Sequence, residues 1–209
     1  MVKNVYLTFD DGPTGYTEEI LGILDSHGVK ATFFIWGNLV EKKYEGTLKA
    51  LVAKGHFPAL HSMTHDLDLL YKQEGSAETF LAEMLKLQSL LLDLTGVESK
   101  LCRAPYGSSG NFTKAHIDKL LGAGLKCWDW NVSPDDWLEG TTKASLLTRL
   151  KAATEKEKSA DLVVLLHEMP ATVEALPEII GYYKGLGYRF KVYSPSGHFP
   201  VNFQGEARL

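Results

Sequence analysis

Short hydrophobic runs rich in β-branched and aromatic residues alternate along the chain with longer amphipathic stretches. The short runs have the length and composition of buried β-strands, whereas the longer ones repeat their apolar residues at the three- and four-residue steps of a helix. We predict seven strands, at residues 5–9, 31–35, 57–60, 100–104, 125–130, 162–166 and 189–193. Helices are predicted near residues 17–27, 47–54, 77–94, 114–123, 143–158 and 173–186.

The alternation of strands and helices is typical of repeated βα units around a parallel sheet, which places the chain in the α/β class. At 209 residues it is expected to form a single domain spanning residues 1–209. Ligands of parallel α/β folds bind at the C-terminal ends of the strands, where the loops converge. The residues that follow each strand are therefore the ones to search for chemistry.

The composition is that of an ordinary globular protein, with 44% hydrophobic and 23% charged residues. A formal net charge of −4 without a Lys/Arg-rich block argues against a nucleic acid or an anionic membrane as a partner. The opening residues MVKNVYLTFDDG contain no apolar stretch of the kind found in a signal peptide or a transmembrane segment. A signal or anchor upstream of Met1 stays an open alternative.

The two cysteines, Cys102 and Cys127, each lie in a predicted strand. We interpret them as buried free thiols, which is the common state of cysteine in a core. A disulfide is the alternative if the two strands are neighbours. The chain has no CxxC pattern, so a cysteine metal or redox site is not expected.

Two groups of polar residues that follow strands suggest a metal site. Asp10 and Asp11 come directly after the first strand, and two adjacent carboxylates are costly to bury unless a cation lies beside them. His61 and His65 follow the third strand and share one face of a turn. A simple turn and an incidental histidine pair are the alternatives. Together, Asp11, His61 and His65 make the three-ligand set with an open position that is expected of a catalytic zinc.

A hydrolytic metal site also needs groups that move protons. Asp10, beside the candidate ligand Asp11, is the candidate base, and Arg103 at the C-terminal end of the fourth strand is placed to orient it. His167 follows a very apolar strand and is the candidate acid, which we expect at the opposite rim. The alternatives are a surface role for Arg103 and a structural role for His167.

These residues, in this order, resemble the polysaccharide deacetylases of carbohydrate esterase family 4, also called the NodB-homology domain. The resemblance covers nearly the whole chain and implies a distorted (β/α) barrel of seven or eight strands. It is carried by five motifs at successive strand ends: Thr8-Phe9-Asp10-Asp11-Gly12, His61-Ser62-x-x-His65, Arg103-x-Pro105-Tyr106, Asp136-Trp137 and Leu165-x-His167.

The resemblance implies a role for each motif residue. It makes Asp10 the catalytic base and His167 the catalytic acid. It assigns one divalent metal ion to Asp11, His61 and His65, with zinc preferred and cobalt or nickel as alternatives.

The remaining motif residues are implied to support these groups. Arg103 would steady the base, Asp136 would tune the acid histidine, and the backbone N–H of Tyr106 would stabilise the oxyanion. The implied substrate-binding residues are Pro105, Tyr106, Trp137 and Leu165.

Three positions depart from the family pattern. Ser133 and Glu168 stand where aspartate is common, and Ala104 stands where proline is frequent. None of these changes removes a candidate ligand, base or acid, so we expect activity, with a pH dependence that could be shifted.

The expected substrate is an N-acetylglucosamine polymer of the peptidoglycan or chitin type, in part because the ending SGHFPVNF resembles bacterial cell-wall members of the family. The alternatives are O-acetyl groups on xylan and an inactive carbohydrate-binding homologue. The resemblance implies a monomer outside a bacterial cell or on its surface, with a cytoplasmic location as the alternative.

Overall fold

The computed structural model describes residues 3–209 and contains the seven predicted strands. They are β1 Asn4–Gly12, β2 Thr32–Ile35, β3 Phe57–Leu60, β4 Leu101–Cys102, β5 Lys126–Cys127, β6 Asp161–His167 and β7 Arg189–Lys191. β4 and β5 are shorter than predicted, because the chain beyond each of them leaves the sheet to form a loop of the candidate site. β1 is longer, and its added residues include both aspartates of the first motif.

The six predicted helices are also present. They are α1 Thr17–Ser26, α2 Glu45–Ala53, α3 Ser76–Thr95, α4 Lys114–Gly122, α5 Lys143–Lys156 and α6 Pro170–Gly185. A π-helical turn at Asp68–Lys72 was not predicted, because five residues are too few to show a period. Within residues 3–209, no helix combines the length and the apolar character needed to cross a membrane.

All strand pairs are parallel, and the sheet has the order β5-β4-β3-β2-β1-β6. β6 pairs with residues 4–10 of β1, β2 pairs with residues 8–12, and β7 pairs with residues 4–6. The sheet curves into a half-barrel with the helices outside it, which confirms the predicted α/β barrel class. β1 is its central strand and carries the first motif at its C-terminal end.

The side chains of β1 point alternately to the two faces of the sheet, and each face packs in a different hydrophobic cluster. Val5, Leu7 and Phe9 belong to the large cluster between the sheet and the helices, whereas Tyr6 packs in a smaller cluster with Trp128. Successive side chains of a strand point to opposite faces, so Thr8 and Asp10 share the inner face with Tyr6. The catalytic candidates therefore lie on the concave side of the sheet.

The segment after β7 closes one end of this inner face. Trp128, fully buried, donates its indole N–H to the carbonyl of Phe199 at 2.7 Å and forms a β-bridge with Val201. Phe199 also packs against Tyr6, with ring centroids 5.2 Å apart. A segment without regular secondary structure thus supplies the apolar groups that complete the inner layer.

Cys102 and Cys127 are paired in register on the neighbouring strands β4 and β5. Both are fully buried, and both are free thiols. The interpretation as buried free thiols therefore holds in the structure, and the strands are neighbours as the disulfide alternative required.

His56 is a buried histidine far from the site, at the start of β3. Its Nδ1 accepts a hydrogen bond from the backbone N–H of Ala31 at 3.1 Å, and its Nε2 has no partner among residues 3–209. Burial lowers the pKa of His56 to about 4, and the charges of Lys30 and Lys54 contribute to this shift. The fold therefore holds the neutral imidazole.

This burial predicts a loss of stability in mild acid. An unfolded histidine titrates near pH 6.5, whereas His56 in the fold has a pKa of about 4. The unfolded chain takes up the proton first, so unfolding is favoured as the pH falls through this window, by up to about 3 kcal/mol. His56→Asn keeps an acceptor for Ala31, and its free energy of unfolding, measured by urea titration from pH 7 to 4, should fall less steeply than that of the wild type. Equal slopes would contradict the prediction.

Candidate active site

The end of β1 contains a β-bulge that orients the two aspartates. Asp10 pairs with Phe34 of β2 and Gly12 pairs with Ile35, so Asp11 is the extra residue between them. Its backbone is left-handed, with φ of 63°. A bulge changes the direction of side chains locally. The carboxylates of Asp10 and Asp11, which a regular strand would place on opposite faces of the sheet, therefore lie in one region. The simple-turn alternative for this motif is therefore wrong.

The loop after β3 presents the two histidines. It contains two further non-glycine residues with left-handed backbone, Ser62 (φ 65°) and His65 (φ 57°). The hydroxyl of Ser62 accepts a hydrogen bond from the backbone N–H of His65 at 3.0 Å. The loop therefore folds back so that both imidazoles point at the end of β1.

Asp11, His61 and His65 converge as the sequence predicted. Oδ1 of Asp11 lies 3.4 Å from Nε2 of His61 and 3.2 Å from Nε2 of His65. One ligand atom from each residue lies within 4.8 Å of the others. Oδ1 of Asp11 is buried without a hydrogen-bond partner among residues 3–209, an arrangement that a cation would satisfy. Two imidazoles and one carboxylate fit zinc or a similar divalent ion.

Both imidazoles are oriented through their other nitrogen. Nδ1 of His61 lies 2.9 Å from the carbonyl oxygen of Arg103, so it carries the proton and leaves Nε2 free. Nδ1 of His65 lies 3.2 Å from the hydroxyl of Tyr106, which also donates to the carbonyl of His65 at 3.1 Å. Burial alone would raise the pKa of Asp11, but the two imidazoles hold it well below its usual range. The site therefore presents an ionised carboxylate and two imidazole nitrogens.

Arg103 and Asp10 form a buried ion pair beside this cluster. Nη1 of Arg103 donates to Oδ1 of Asp10 at 2.7 Å and to the hydroxyl of Thr8 at 2.8 Å. Its Nε and Nη2 donate to the carbonyls of Trp128 and Asp129. Arg103 is 0% and Asp10 is 2% exposed. The surface alternative for Arg103 is therefore wrong, and Oδ2 of Asp10 is left to face His61, 3.7 Å from its Nε2.

His167 lies beside Asp10 and not at an opposite rim, because Asp10 and His167 are register partners on β1 and β6. The sequence could not reveal which strands are neighbours. Asp136 accepts hydrogen bonds from Nδ1 of His167 at 2.8 Å, from its backbone N–H at 2.7 Å and from the hydroxyl of Thr172 at 2.7 Å. Burial would lower the pKa of His167, but Asp136 and the nearby carboxylates outweigh it and raise the pKa to about 9. Nε2 of His167 faces Asp11, 3.9 Å from Oδ2.

These groups line one open cavity of about 560 Å³. Its wall includes the predicted residues Leu165, Tyr106 and Trp137. Trp137 is 44% exposed and packs edge-on against His167, with ring centroids 5.4 Å apart. Further residues that line the cavity are Thr14, Ala104, Trp130, Glu168 and Met169. All five lie within three residues after the end of a strand, and this position is the signal in the sequence that points to them.

Pro105 lies behind the cavity wall. It is buried, and its carbonyl accepts a hydrogen bond from the hydroxyl of Tyr71 at 2.9 Å. The left-handed backbone of Tyr106 (φ 64°) turns the chain at this point, so Ala104 and Tyr106 line the cavity and Pro105 does not. Substrate binding by Pro105 stays a prediction.

Two of the departures have clear structural roles. The hydroxyl of Ser133 bonds to Oδ1 of Asp135 at 2.8 Å and accepts from its backbone N–H, which stabilises a turn where Asp135 has φ of 49°. Glu168 is 5% exposed and accepts hydrogen bonds from Thr14 and Thr17. Burial raises the pKa of Glu168, and these donors offset part of the shift.

Residues 2–128 match the family model for "Polysaccharide deacetylase". The chain is also 36% identical to a peptidoglycan-N-acetylglucosamine deacetylase of Bacillus cereus, over 99% of this chain and 75% of that protein. The chain belongs to the polysaccharide deacetylase family. This family, carbohydrate esterase family 4, is metal-dependent in general, in agreement with the Asp11, His61 and His65 cluster.

The fold agrees with solved deacetylase structures. A polysaccharide deacetylase from Bacillus cereus superposes with a TM-score of 0.90 at 36% identity, covering 99% of this chain and 100% of that one. A family 4 pseudoenzyme from Bacillus anthracis superposes with a TM-score of 0.77 at 26% identity, covering 90% of this chain and 63% of that one. Membership of this family of deacetylases therefore does not by itself establish catalysis.

The contact of the Tyr106 hydroxyl with His65 predicts a specific effect on metal binding by this chain. Tyr106→Phe removes only the group that fixes His65, and loss of such a partner costs about 10- to 100-fold in metal affinity. Because Tyr106 is 58% exposed, water can replace part of the interaction, and we expect the lower end of that range. Zinc affinity is measured by competition with a chromophoric chelator.

Tyr16→Phe is the matched control for this experiment. Tyr16 is also exposed, and its hydroxyl makes no hydrogen bond to a residue within 3–209. Its variant should bind zinc as the wild type does. Wild-type zinc affinity in Tyr106→Phe would show that the hydroxyl does not orient His65.

Proposed function

We propose that the chain, as one catalytic domain spanning residues 1–209, removes N-acetyl groups from an N-acetylglucosamine polymer of the peptidoglycan or chitin type and releases acetate. The observation that carries this proposal is the pairing of Asp10 with His167 on adjacent strands, beside the three metal-ligand candidates. Each of the two is also hydrogen-bonded to a residue of opposite charge: Asp10 to Arg103, and His167 to Asp136. A proton acceptor and a proton donor thus face the same cavity.

The proton movements follow from the free atoms of these two residues. Oδ1 of Asp10 is engaged by Arg103, so Oδ2 takes the proton of the attacking water. The water oxygen forms a bond to the carbonyl carbon of the acetyl group, and the bond between that carbon and the amide nitrogen then breaks. Nε2 of His167 gives a proton to the departing amine, since Nδ1 is held by Asp136. The products are acetate and a free glucosamine amine.

Asp11, His61 and His65 would hold the divalent cation, most suitably zinc, which when bound supplies Lewis-acid activation of water and of the amide carbonyl. Tyr106 lines the cavity, and its backbone N–H has no acceptor among residues 3–209. It is therefore free to donate to the oxygen on which negative charge develops. Leu165 and Trp137 give the acetyl methyl an apolar surface.

Two findings support the proposed substrate class: membership of the polysaccharide deacetylase family and the name of one similar protein. A peptidoglycan-N-acetylglucosamine deacetylase is 36% identical over nearly the whole chain. Because such polymers lie outside the bacterial cytoplasm, we propose an extracellular or cell-surface location, with the protein acting as a monomer.

Acetate release from chitooligosaccharide tests the proposal. Protein treated with a chelator should lose activity and regain it with zinc, whereas His61→Ala should release acetate at least about 100-fold more slowly because the cation lacks a ligand. Acetylated xylan is assayed in parallel. Release from xylan but not from chitooligosaccharide would overturn the N-acetyl assignment, and release that persists without metal would overturn metal dependence.

Replacing the base separates catalysis from binding. Asp10→Asn should lower acetate release by about 10²- to 10⁴-fold, the usual contribution of a positioned base, while chitooligosaccharide affinity stays close to wild type. Asp118→Asn on the exposed face of α4 is the control and should keep full activity. If the wild type binds the oligosaccharide, releases no acetate and is unchanged by Asp10→Asn, the protein is a binding homologue.

A further inference from the structure

The metal-ligand candidates come from two strained segments, which we call the metal-binding loops. The first is the bulged end of β1, which contains Asp11, with the loop that follows it; the second is the loop after β3, which contains His61 and His65. Asp11, Ser62 and His65 all have left-handed backbone. For residues other than glycine such conformations cost about 1–3 kcal/mol each, and they persist only where the surroundings fix them. The contacts that hold these two loops are therefore part of what makes the metal site.

Glu83 of α3 holds the loop after β3. Its Oε2 accepts hydrogen bonds from the backbone N–H groups of Met63 and Thr64, both at 2.9 Å. Its Oε1 accepts from the hydroxyl of Thr64 at 2.8 Å. Hydrogen bonds to an ionised carboxylate are about twice as strong as neutral ones. Glu83 does not line the cavity, so its contacts within residues 3–209 are to the loop and not to the site.

Glu168, directly after β6, holds the loop after β1. Its Oε2 accepts from the backbone N–H of Thr14 at 3.0 Å, from the hydroxyl of Thr14 at 2.8 Å and from the hydroxyl of Thr17 at 2.5 Å. Its Oε1 lies so close to Gly12 that a Cβ there would be 2.1 Å away. The absence of a side chain at Gly12 thus lets the carboxylate lie against the loop that carries Asp11.

We propose that Glu83 and Glu168 are positioning residues that hold the two metal-binding loops in their strained conformations. We call them the loop anchors. The inference rests on the metal-dependent function proposed above. Neither anchor is a candidate metal ligand, and each acts through hydrogen bonds to a loop that comes from another element of the fold. Two separate elements, α3 and the end of β6, thereby fix where the three ligand atoms meet.

The two anchors differ in what a glutamine could replace. At position 83 an amide oxygen can still accept from the two backbone N–H groups, and the amide N–H₂ can donate to the hydroxyl of Thr64. At position 168 three donors converge on one oxygen, and an amide oxygen carries less negative charge than a carboxylate oxygen and therefore holds these donors less strongly. The amide N–H₂ would also take the place of Oε1, which is buried without a partner among residues 3–209. Glutamine should therefore rescue position 83 and fail at position 168.

Zinc affinity of the purified full chain tests this proposal. Competition titration with a chromophoric chelator should give dissociation constants raised about 10- to 100-fold for Glu83→Ala, Glu168→Ala and Glu168→Gln. Glu83→Gln should stay within about threefold of wild type, following the acceptor count above. The exposed residues Glu78 and Glu174 supply the controls Glu78→Ala and Glu174→Ala, which should bind zinc as the wild type does.

Further measurements distinguish anchoring from other roles. Thr64→Val and Thr14→Val each remove one donor and keep the fold, so they report on the anchors if the alanine variants do not fold. At saturating zinc the folded variants should keep the wild-type KM for chitooligosaccharide. A raised KM with unchanged zinc affinity in Glu168→Gln would make Glu168 a substrate contact and overturn its anchoring role.

The remaining outcomes are also decisive. Variants that melt earlier without metal yet bind zinc as the wild type does would show a purely structural role and overturn the proposal. A wild type that binds zinc and releases no acetate would overturn the deacetylase function while leaving the anchoring open to the same affinity comparison. A wild type that binds no zinc would overturn both.

Discussion

Arg103 and Asp10 face each other inside the half-barrel, where both side chains are almost completely buried. Burying an ion costs several kcal/mol even after relaxation, and that cost is offset only where geometry and additional hydrogen bonds are good. Arg103 meets this condition with four acceptors drawn from two parts of the chain, β1 and the segment after β5: Thr8, Asp10, Trp128 and Asp129. Its backbone carbonyl orients His61. One residue therefore joins the base and the inner layer through its guanidinium and the metal-ligand cluster through its backbone, and it requires that all of them be in place together.

Backbone strain in this molecule is confined to the same region. The five non-glycine residues with left-handed backbone among residues 3–209 all lie at the C-terminal end of a strand or in the loop beyond it: Asp11, Ser62, His65, Tyr106 and Asp135. Three of them belong to the metal-binding loops, Tyr106 lines the cavity, and Asp135 directly precedes Asp136, which binds His167. A rigid parallel sheet with short loops can carry such conformations, because neighbouring elements supply hydrogen bonds that a free loop would lack. The strain thus marks the functional edge of the sheet.

The sequence was sufficient to predict what depends on local pattern. The seven strands and six helices follow from periodicity, and the metal-ligand candidates follow from the position of Asp11, His61 and His65 after strands. What depends on tertiary neighbours was out of reach. The pairing of Asp10 with His167 is a matter of strand order, and the bulge at Asp11 appears only when β1 and β2 are aligned. Which residues around Pro105 line the cavity is likewise set by the left-handed backbone of Tyr106, which no local pattern shows.

The topology also has a consequence for how the chain reaches this state. β1 is synthesised first, yet it pairs with β6, and Asn4 bonds to Asp161 across 157 positions. The inner layer is completed later still, by Phe199 and Val201. Contacts so distant in sequence slow folding and leave strand edges and apolar surface exposed during synthesis. On the ribosome, β1 can pair early with β2, but its other edge must wait until β6 and β7 have been made, a period in which that edge and the inner apolar surface are exposed to wrong partners.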